Sequence, residues 1–223
     1  MGWFYRFLSS SIGQKFVSGF TGLFLISFLI VHLIGNFQLL KSDPVLAAEA
    51  FNKYSEFMST NMIIRTLEIG LVLGFLFHII IGTLLYFKNK AARPVAYATR
   101  DANANSAWTS RSMFLSGSIV IVFLVIHLRS FLFEVRFLDN KESMYDLVVK
   151  AFQSPLYSGF YVLAMILLGL HLNHGFQSAF QTFGLVGKKY SSAIKVVGFA
   201  FSILIPLLFA YMPLYFLFKL GGK

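Results

Sequence analysis

Apolar residues are gathered into five long runs separated by short polar stretches. Charge bounds most of them: 16–40 lies between Lys15 and Lys41, 69–87 between Glu68 and Lys88, and 112–128 between Arg111 and Arg129, with an apolar continuation towards Phe133. A fourth run begins near Pro155 inside the uncharged stretch 151–187, and a fifth covers 196–218. A helix rises about 1.5 Å per residue, so roughly 20 apolar residues cross a hydrocarbon core. With flanking turns included, the pattern predicts transmembrane helices at about 14–40, 62–88, 110–135, 155–184 and 193–219. No run alternates with period two, which argues against a β-barrel. The first run is too long for a signal peptide, follows a polar start and lacks a convincing cleavage site, so it reads as a mature helix.

Composition supports this class. Hydrophobic residues make up 57% of the 223 and charged residues 13%, too few to cover a water-soluble domain of this size. The expected fold is an all-α membrane protein of one domain. Five helices cross the bilayer, and the first four form a bundle. There is no cysteine, which excludes disulfides, thiolate metal sites and cysteine-ligated clusters within the chain and leaves histidine as the main metal ligand.

The net charge of +10 is asymmetric. One side collects Arg6, Lys15, Lys88, Lys90, Arg93, Arg100, Arg111, Lys188, Lys189 and Lys195 against Asp101 alone. The opposite loops balance Lys41, Lys53, Arg65, Arg129, Arg136, Lys141 and Lys150 with acids. The basic side is expected to be cytoplasmic, with the amino terminus inside. The charge therefore calls for no nucleic acid, and the basic side is suited to an acidic partner or anionic lipid. Trp3, Tyr5, Tyr86, Trp108, Tyr157 and Tyr215 lie near the boundaries and read as interface anchors.

Four histidines, His32, His78, His127 and His171, fall in four different apolar runs, where an ionisable group is costly without a partner. Measured from the inner ends, His78 and His171 lie about 9 to 12 residues deep, roughly 14–18 Å, and His32 and His127 about 16 to 18 residues, roughly 24–27 Å. Each pair is therefore at similar depth and suits a haem held between helices. Small residues support this: Gly70, Gly74 and Gly82 share the face of His78, Gly35 follows His32, and Gly175 follows His171. Close helix packing explains such glycines equally well. A single histidine could also serve only as a packing or proton-handling residue. His174 stands three residues after His171, and periodicity does not choose between them.

The runs SSIGQKFVSGFTGLFLISFLIVHLIGN (10–36), RTLEIGLVLGFLFHIIIG (65–82) and GLHLNHGFQSAFQTFG (169–184) resemble the single-chain dihaem cytochrome b subunit of succinate dehydrogenases and fumarate reductases, and the resemblance extends over the whole chain. It implies two b-type haems. His78 and His171 would ligate the one proximal to cytoplasmic flavoprotein and iron–sulfur partner subunits, which carry FAD and the clusters, and His32 and His127 the distal one. It places the fourth-helix ligand about 13 residues before the closing glycine, Gly184, which selects His171 and leaves His174 a supporting role. The glutamate that some fumarate reductases carry two residues before this ligand is here Gly169. The implied activity is electron relay to a quinone, menaquinone by the family's pattern, in a bacterial cytoplasmic membrane. The chain itself handles no succinate. Arg65, Glu68, Glu56 and Arg129 are quinone-site candidates, with Arg65 and Glu68 equally able to anchor the start of the second helix. Gln14, Lys15, Ser18, Arg111 and Thr182 are candidate propionate partners. The competing readings are a dihaem subunit of another membrane oxidoreductase and a haem-free proton channel or transporter.

Overall fold

A computed structural model describes residues 2–92, 112–138, 141–187 and 191–219, leaving aside the side chains of Phe4 and Lys219. The described chain is helical throughout. Its elements are α1 (Trp3–Ser9), α2 (Ser11–Asn36) with a 3-10 extension (Phe37–Leu40), α3 (Pro44–Thr60), α4 (Met62–Ala91), α5 (Met113–Leu128), a π-helical turn (Arg129–Phe133), α6 (Glu134–Phe137), α7 (Met144–Phe152), α8 (Pro155–Thr182) and α9 (Ser191–Lys219).

Five helices are long and apolar enough to span a membrane: Ser11–Leu40, Met62–Ala91, Met113–Phe137, Pro155–Thr182 and Ser191–Phe218. They match the five expected from the apolar runs, with boundaries displaced by a few residues. Their lateral surface is apolar, Leu156 being 85% and Met62 80% exposed, as lipid rather than water requires. The protein is a multi-pass membrane protein of the all-α class.

Helix starts are capped by local polar chemistry. Asn61 Oδ1 accepts from the amides of Ile63 and Ile64 at the head of α4, and Ser10 Oγ accepts from Gly13 at that of α2. Arg65 and Glu68 therefore do not cap α4. The C-terminal end of α8 is closed by Gly184 at φ 70°, with Gly184 N–H donating to Gln181 O and Leu185 N–H to Phe180 O, the paired bonds of a Schellman turn.

α8 is the centre of the assembly and packs on α9, α5 and α2, while α4 packs on α2. Glycine on each helix lets α8 and α9 pack closely, Gly198 against the Phe176 ring and Gly169 against the α9 backbone. A Cβ on Gly169 would stand 2.8 Å from the Ser202 carbonyl. That carbonyl has no intrahelical donor, because the residue four positions on is Pro206. Gly169 thus lies where the two helices cross.

Two amphipathic helices were not foreseen. α3 starts where Asp43 Oδ1 accepts from Val45 and Leu46 amides ahead of Pro44, and it buries Ala47 and Phe51 one turn apart. α7 starts at Ser143, whose hydroxyl accepts from Asp146 N–H and donates to the Asp146 carboxylate. Asn52 Oδ1 accepts from Tyr145 N–H and joins the two. Together they cover one end of the bundle over a core that includes Leu39, Phe131, Phe152, Tyr161 and Phe216. Tyr157 and Tyr215 are partly buried against this core. Trp3 and Tyr5 are exposed as expected, and Trp108 lies outside the described residues.

The charge asymmetry has a structural counterpart. All four ion pairs among the described residues lie at the end covered by α3 and α7: Arg65–Glu68, Arg136–Glu68, Arg129–Glu134 and Lys150–Glu142. At the opposite, basic end, the buried Gln14 accepts from Lys88 Nζ at 3.0 Å and ties α2 to α4.

Candidate metal centres

The four intramembrane histidines meet in two pairs. The rings of His78 (α4) and His171 (α8) face each other with centroids 6.2 Å apart and planes at 75°. The rings of His32 (α2) and His127 (α5) do so at 5.8 Å and 85°. In each case the two helices pack on a shared neighbour more closely than on each other. The first pair lies nearer the basic end and the second nearer the α3–α7 end. His171, and not His174, is the ring opposite His78.

Two imidazoles sharing a metal through Nε2 need two bonds of about 2.0–2.1 Å plus two ring radii of about 1.1 Å, or roughly 6.3 Å between centroids. Both observed separations lie close to this value. No cluster of three or more His, Cys, Asp or Glu side chains suited to a metal ion occurs among the described residues.

The ring nitrogens are arranged to match. His78 Nδ1 stands 3.2 Å from the Ser18 carbonyl and 3.3 Å from Thr21 Oγ1. The carbonyl can only accept, and the Thr21 hydroxyl itself donates to Val17 O at 2.8 Å. The proton therefore belongs on Nδ1, and the lone pair is left on Nε2, the tautomer that binds a metal. His127 Nδ1 lies 2.8 Å from the Tyr161 hydroxyl, which is in turn 3.2 Å from that of Tyr157. His171 Nδ1 is buried and makes no hydrogen bond.

Glycine shapes the first pair. A Cβ on Gly22 would meet His78 Cε1 at 3.2 Å, and one on Gly117 would meet His171 Cε1 at 3.2 Å. Gly22 precedes His32 by ten residues and Gly117 precedes His127 by ten. Each helix that carries a ligand of the second pair therefore offers a glycine to a ligand of the first. The correspondence continues. Thr21-Gly22, Phe28-Leu29 and His32-Leu33 recur at the same spacing as Ser116-Gly117, Phe123-Leu124 and His127-Leu128. Phe28 stacks on His32 at 5.3 Å, and Phe123 on His127 at 5.6 Å. His78 and His171 each precede a glycine by four residues, Gly82 and Gly175.

The glycines singled out by spacing behave differently. A Cβ on Gly74 would press on Phe24 and one on Gly35 on the Tyr54 ring, so both serve helix contacts, while Gly70 and Gly82 have no atom within reach. The α9 residue Phe209 also lies 5.8 Å from His32, so the fifth helix contributes to a site expected from four.

The remaining candidates are dispersed. Glu68 accepts from Arg65 at 3.0 Å and holds Arg136 through both carboxylate oxygens, so it joins α4 to α6. Arg129 pairs with Glu134 and lies over the Phe133 ring. Glu56 is on the exposed face of α3, and Lys15 is exposed on α2. Ser18 reaches the site through its carbonyl, Thr182 donates to Ser178 O, and Arg111 lies outside the described residues. His174 is half-buried one turn from His171.

No family model, no curated protein and no solved structure matches the chain.

Proposed function

We propose that this chain is the dihaem cytochrome b membrane subunit of a succinate:quinone oxidoreductase. It would relay electrons between flavoprotein and iron–sulfur subunits on the cytoplasmic face and a quinone, with menaquinone the expected type. The observation that carries the reading is the pair of imidazole couples, 6.2 and 5.8 Å between ring centroids, each bridging helices that are not closely packed on one another. A haem held between the rings of each pair would supply one-electron exchange.

The chain's own residues hold and orient. His78 and His171 would be the axial ligands of the proximal haem, His32 and His127 those of the distal one. Ser18 and Thr21 hold the His78 proton on Nδ1, and Phe28 and Phe123 fix the distal rings by stacking. Ten residues of helix separate the two layers on both α2 and α5, about 15 Å along the membrane normal. The basic end is the face suited to acidic cytoplasmic subunits, so the amino terminus is assigned to the cytoplasm of a bacterial cell. At the opposite end, Glu68 between Arg65 and Arg136, together with Arg129 and Glu56, is the quinone-proximal region.

Purification from the native membrane, with a pyridine haemochrome assay and identification of copurifying chains, tests this. Roughly two b haems per chain together with a flavoprotein and an iron–sulfur protein are expected. Haem with a different set of partners would place the chain in another membrane oxidoreductase. A haem-free complex would sink the reading.

A further inference from the structure

The four candidate ligands differ in what stands behind them. His78 Nδ1 meets a backbone carbonyl at 3.2 Å, and His171 Nδ1 makes no hydrogen bond. His78 Nδ1 also has the Thr21 hydroxyl at 3.3 Å, and His127 Nδ1 makes the shorter contact, 2.8 Å from the Tyr161 hydroxyl.

Tyr161 is built into place. It is 5% exposed, and its ring lies edge-to-face with Phe123 of α5 and with Phe152 of α7, both at 4.9 Å. Tyr157, one turn earlier on α8, lies 4.8 Å away with its hydroxyl 3.2 Å from that of Tyr161. A ring boxed in this way points its hydroxyl in one direction. Phe123 also stacks on His127, so one phenylalanine holds both partners of the hydrogen bond.

We propose that Tyr161 is the residue that orients His127 and sets the electron affinity of the distal haem, through the hydrogen bond between its hydroxyl and His127 Nδ1. The inference rests on the dihaem reading. A His127 bound to iron through Nε2 carries its proton on Nδ1 and donates it to Tyr161. The Tyr161 hydrogen is then free to point at Tyr157, which strengthens Tyr161 as an acceptor. An acceptor on the outer nitrogen makes an imidazole a more basic ligand, which favours the ferric over the ferrous state and lowers the midpoint potential.

The test is a redox titration of the purified complex, wild type against Tyr161→Phe and Tyr157→Phe, with the distal wave identified as the one lost in His127→Ala. Y161F is expected to raise the distal potential, by about 59 mV for each tenfold change in the ferric-to-ferrous ratio, and to alter the distal low-spin resonance while the proximal wave stays put. Y157F is expected to shift the distal wave in the same direction by less. Two haems with an unmoved distal wave in Y161F, or equal shifts of both waves, would overturn the assignment. Should Y161F fail to retain the distal haem, Y157F decides: an upward distal shift supports the assignment and none overturns it. Wild-type protein without haem would instead remove the dihaem reading itself.

Discussion

Gly22→Leu offers the sharpest test of how the proximal pair is held, because it alters a helix that carries a distal ligand. An ideal Cβ at this position already stands 3.2 Å from His78 Cε1, inside ordinary van der Waals contact, and leucine places three more carbons beyond it. The ring cannot retreat freely, since its Nδ1 is engaged by Ser18 O and Thr21 Oγ1. It must therefore leave its rotamer, at about 0.5–1.5 kcal/mol for a twist of roughly 30°, within a total overpacking cost of about 1–3 kcal/mol. That is tolerable for the fold but not for the site, because metal–ligand bonds hold to about ±0.2 Å and the needed shift is larger. Gly22→Ala is the mild arm: it adds only the Cβ, and the gain of about 1 kcal/mol in helix propensity offsets most of the strain. Gly117→Leu should repeat the effect through His171. Gly159→Leu is the control, with no atom near its Cβ. The assay is haem content with a dithionite-reduced spectrum. Both Leu variants are expected to fall from about two haems per chain to about one, losing the proximal one. Two haems with an unchanged proximal potential in Gly22→Leu, or loss of the distal haem, would refute the reasoning.

On the dihaem proposal, the near-perpendicular ring planes, 75° and 85°, would leave the two π interactions of a ferric iron nearly equivalent. Highly anisotropic low-spin resonances are therefore expected at both centres, and two rhombic spectra would contradict the ring orientations. Glu68→Gln weakens the link from α4 to Arg136 of α6; for a partly exposed pair the loss should be about 1 kcal/mol by thermal denaturation in detergent, and no change would mean that solvent screens it. Gly169→Val forces a side chain onto the Ser202 carbonyl and should cost about 1–3 kcal/mol through the α8–α9 crossing; wild-type stability would show that α9 can move aside. Because the chain lacks cysteine, single cysteines at Lys15 and Lys195 should react only from the cytoplasmic side and those at Lys53 and Lys150 only from outside. The reverse pattern would invert the orientation.

Much of this architecture was legible because the bilayer is an unforgiving solvent. Five apolar runs leave few alternatives, and a histidine inside one stands out by its solvation cost. Similar depth was enough to pair the second helix with the fourth and His32 with His127, but it left His171 and His174 as alternatives opposite His78. Other features were less visible. The short helices α3 and α7 carry clear start signals, Asp43-Pro44 and Ser143 with Asp146, yet lie in segments whose polarity reads as loop. Tyr161 and Phe209 are aromatic residues in apolar runs, where sequence does not separate a packing residue from one that touches a site. Gly70, Gly74 and Gly82 suggested clearance by their spacing, whereas the glycines that face the histidines, Gly22 and Gly117, are on other helices. Their signal was the recurrence of Thr/Ser-Gly ten residues before a histidine. The π-helical turn after His127 depends on tertiary packing around Phe131, which no local pattern announces.

The recurrence has a consequence for assembly. Each imidazole couple takes one ring from the first half of the chain, His78 or His32, and one from the second, His171 or His127. Neither half can complete either pair, so each cofactor of the dihaem proposal would be a rivet between two similar helix pairs, at two heights in the bilayer. Anything that binds only the joined form stabilises it by mass action, and cofactor loading then becomes the event that commits the two halves to each other. Two fragments divided within 93–111 and produced together should associate far more tightly with haem than without it.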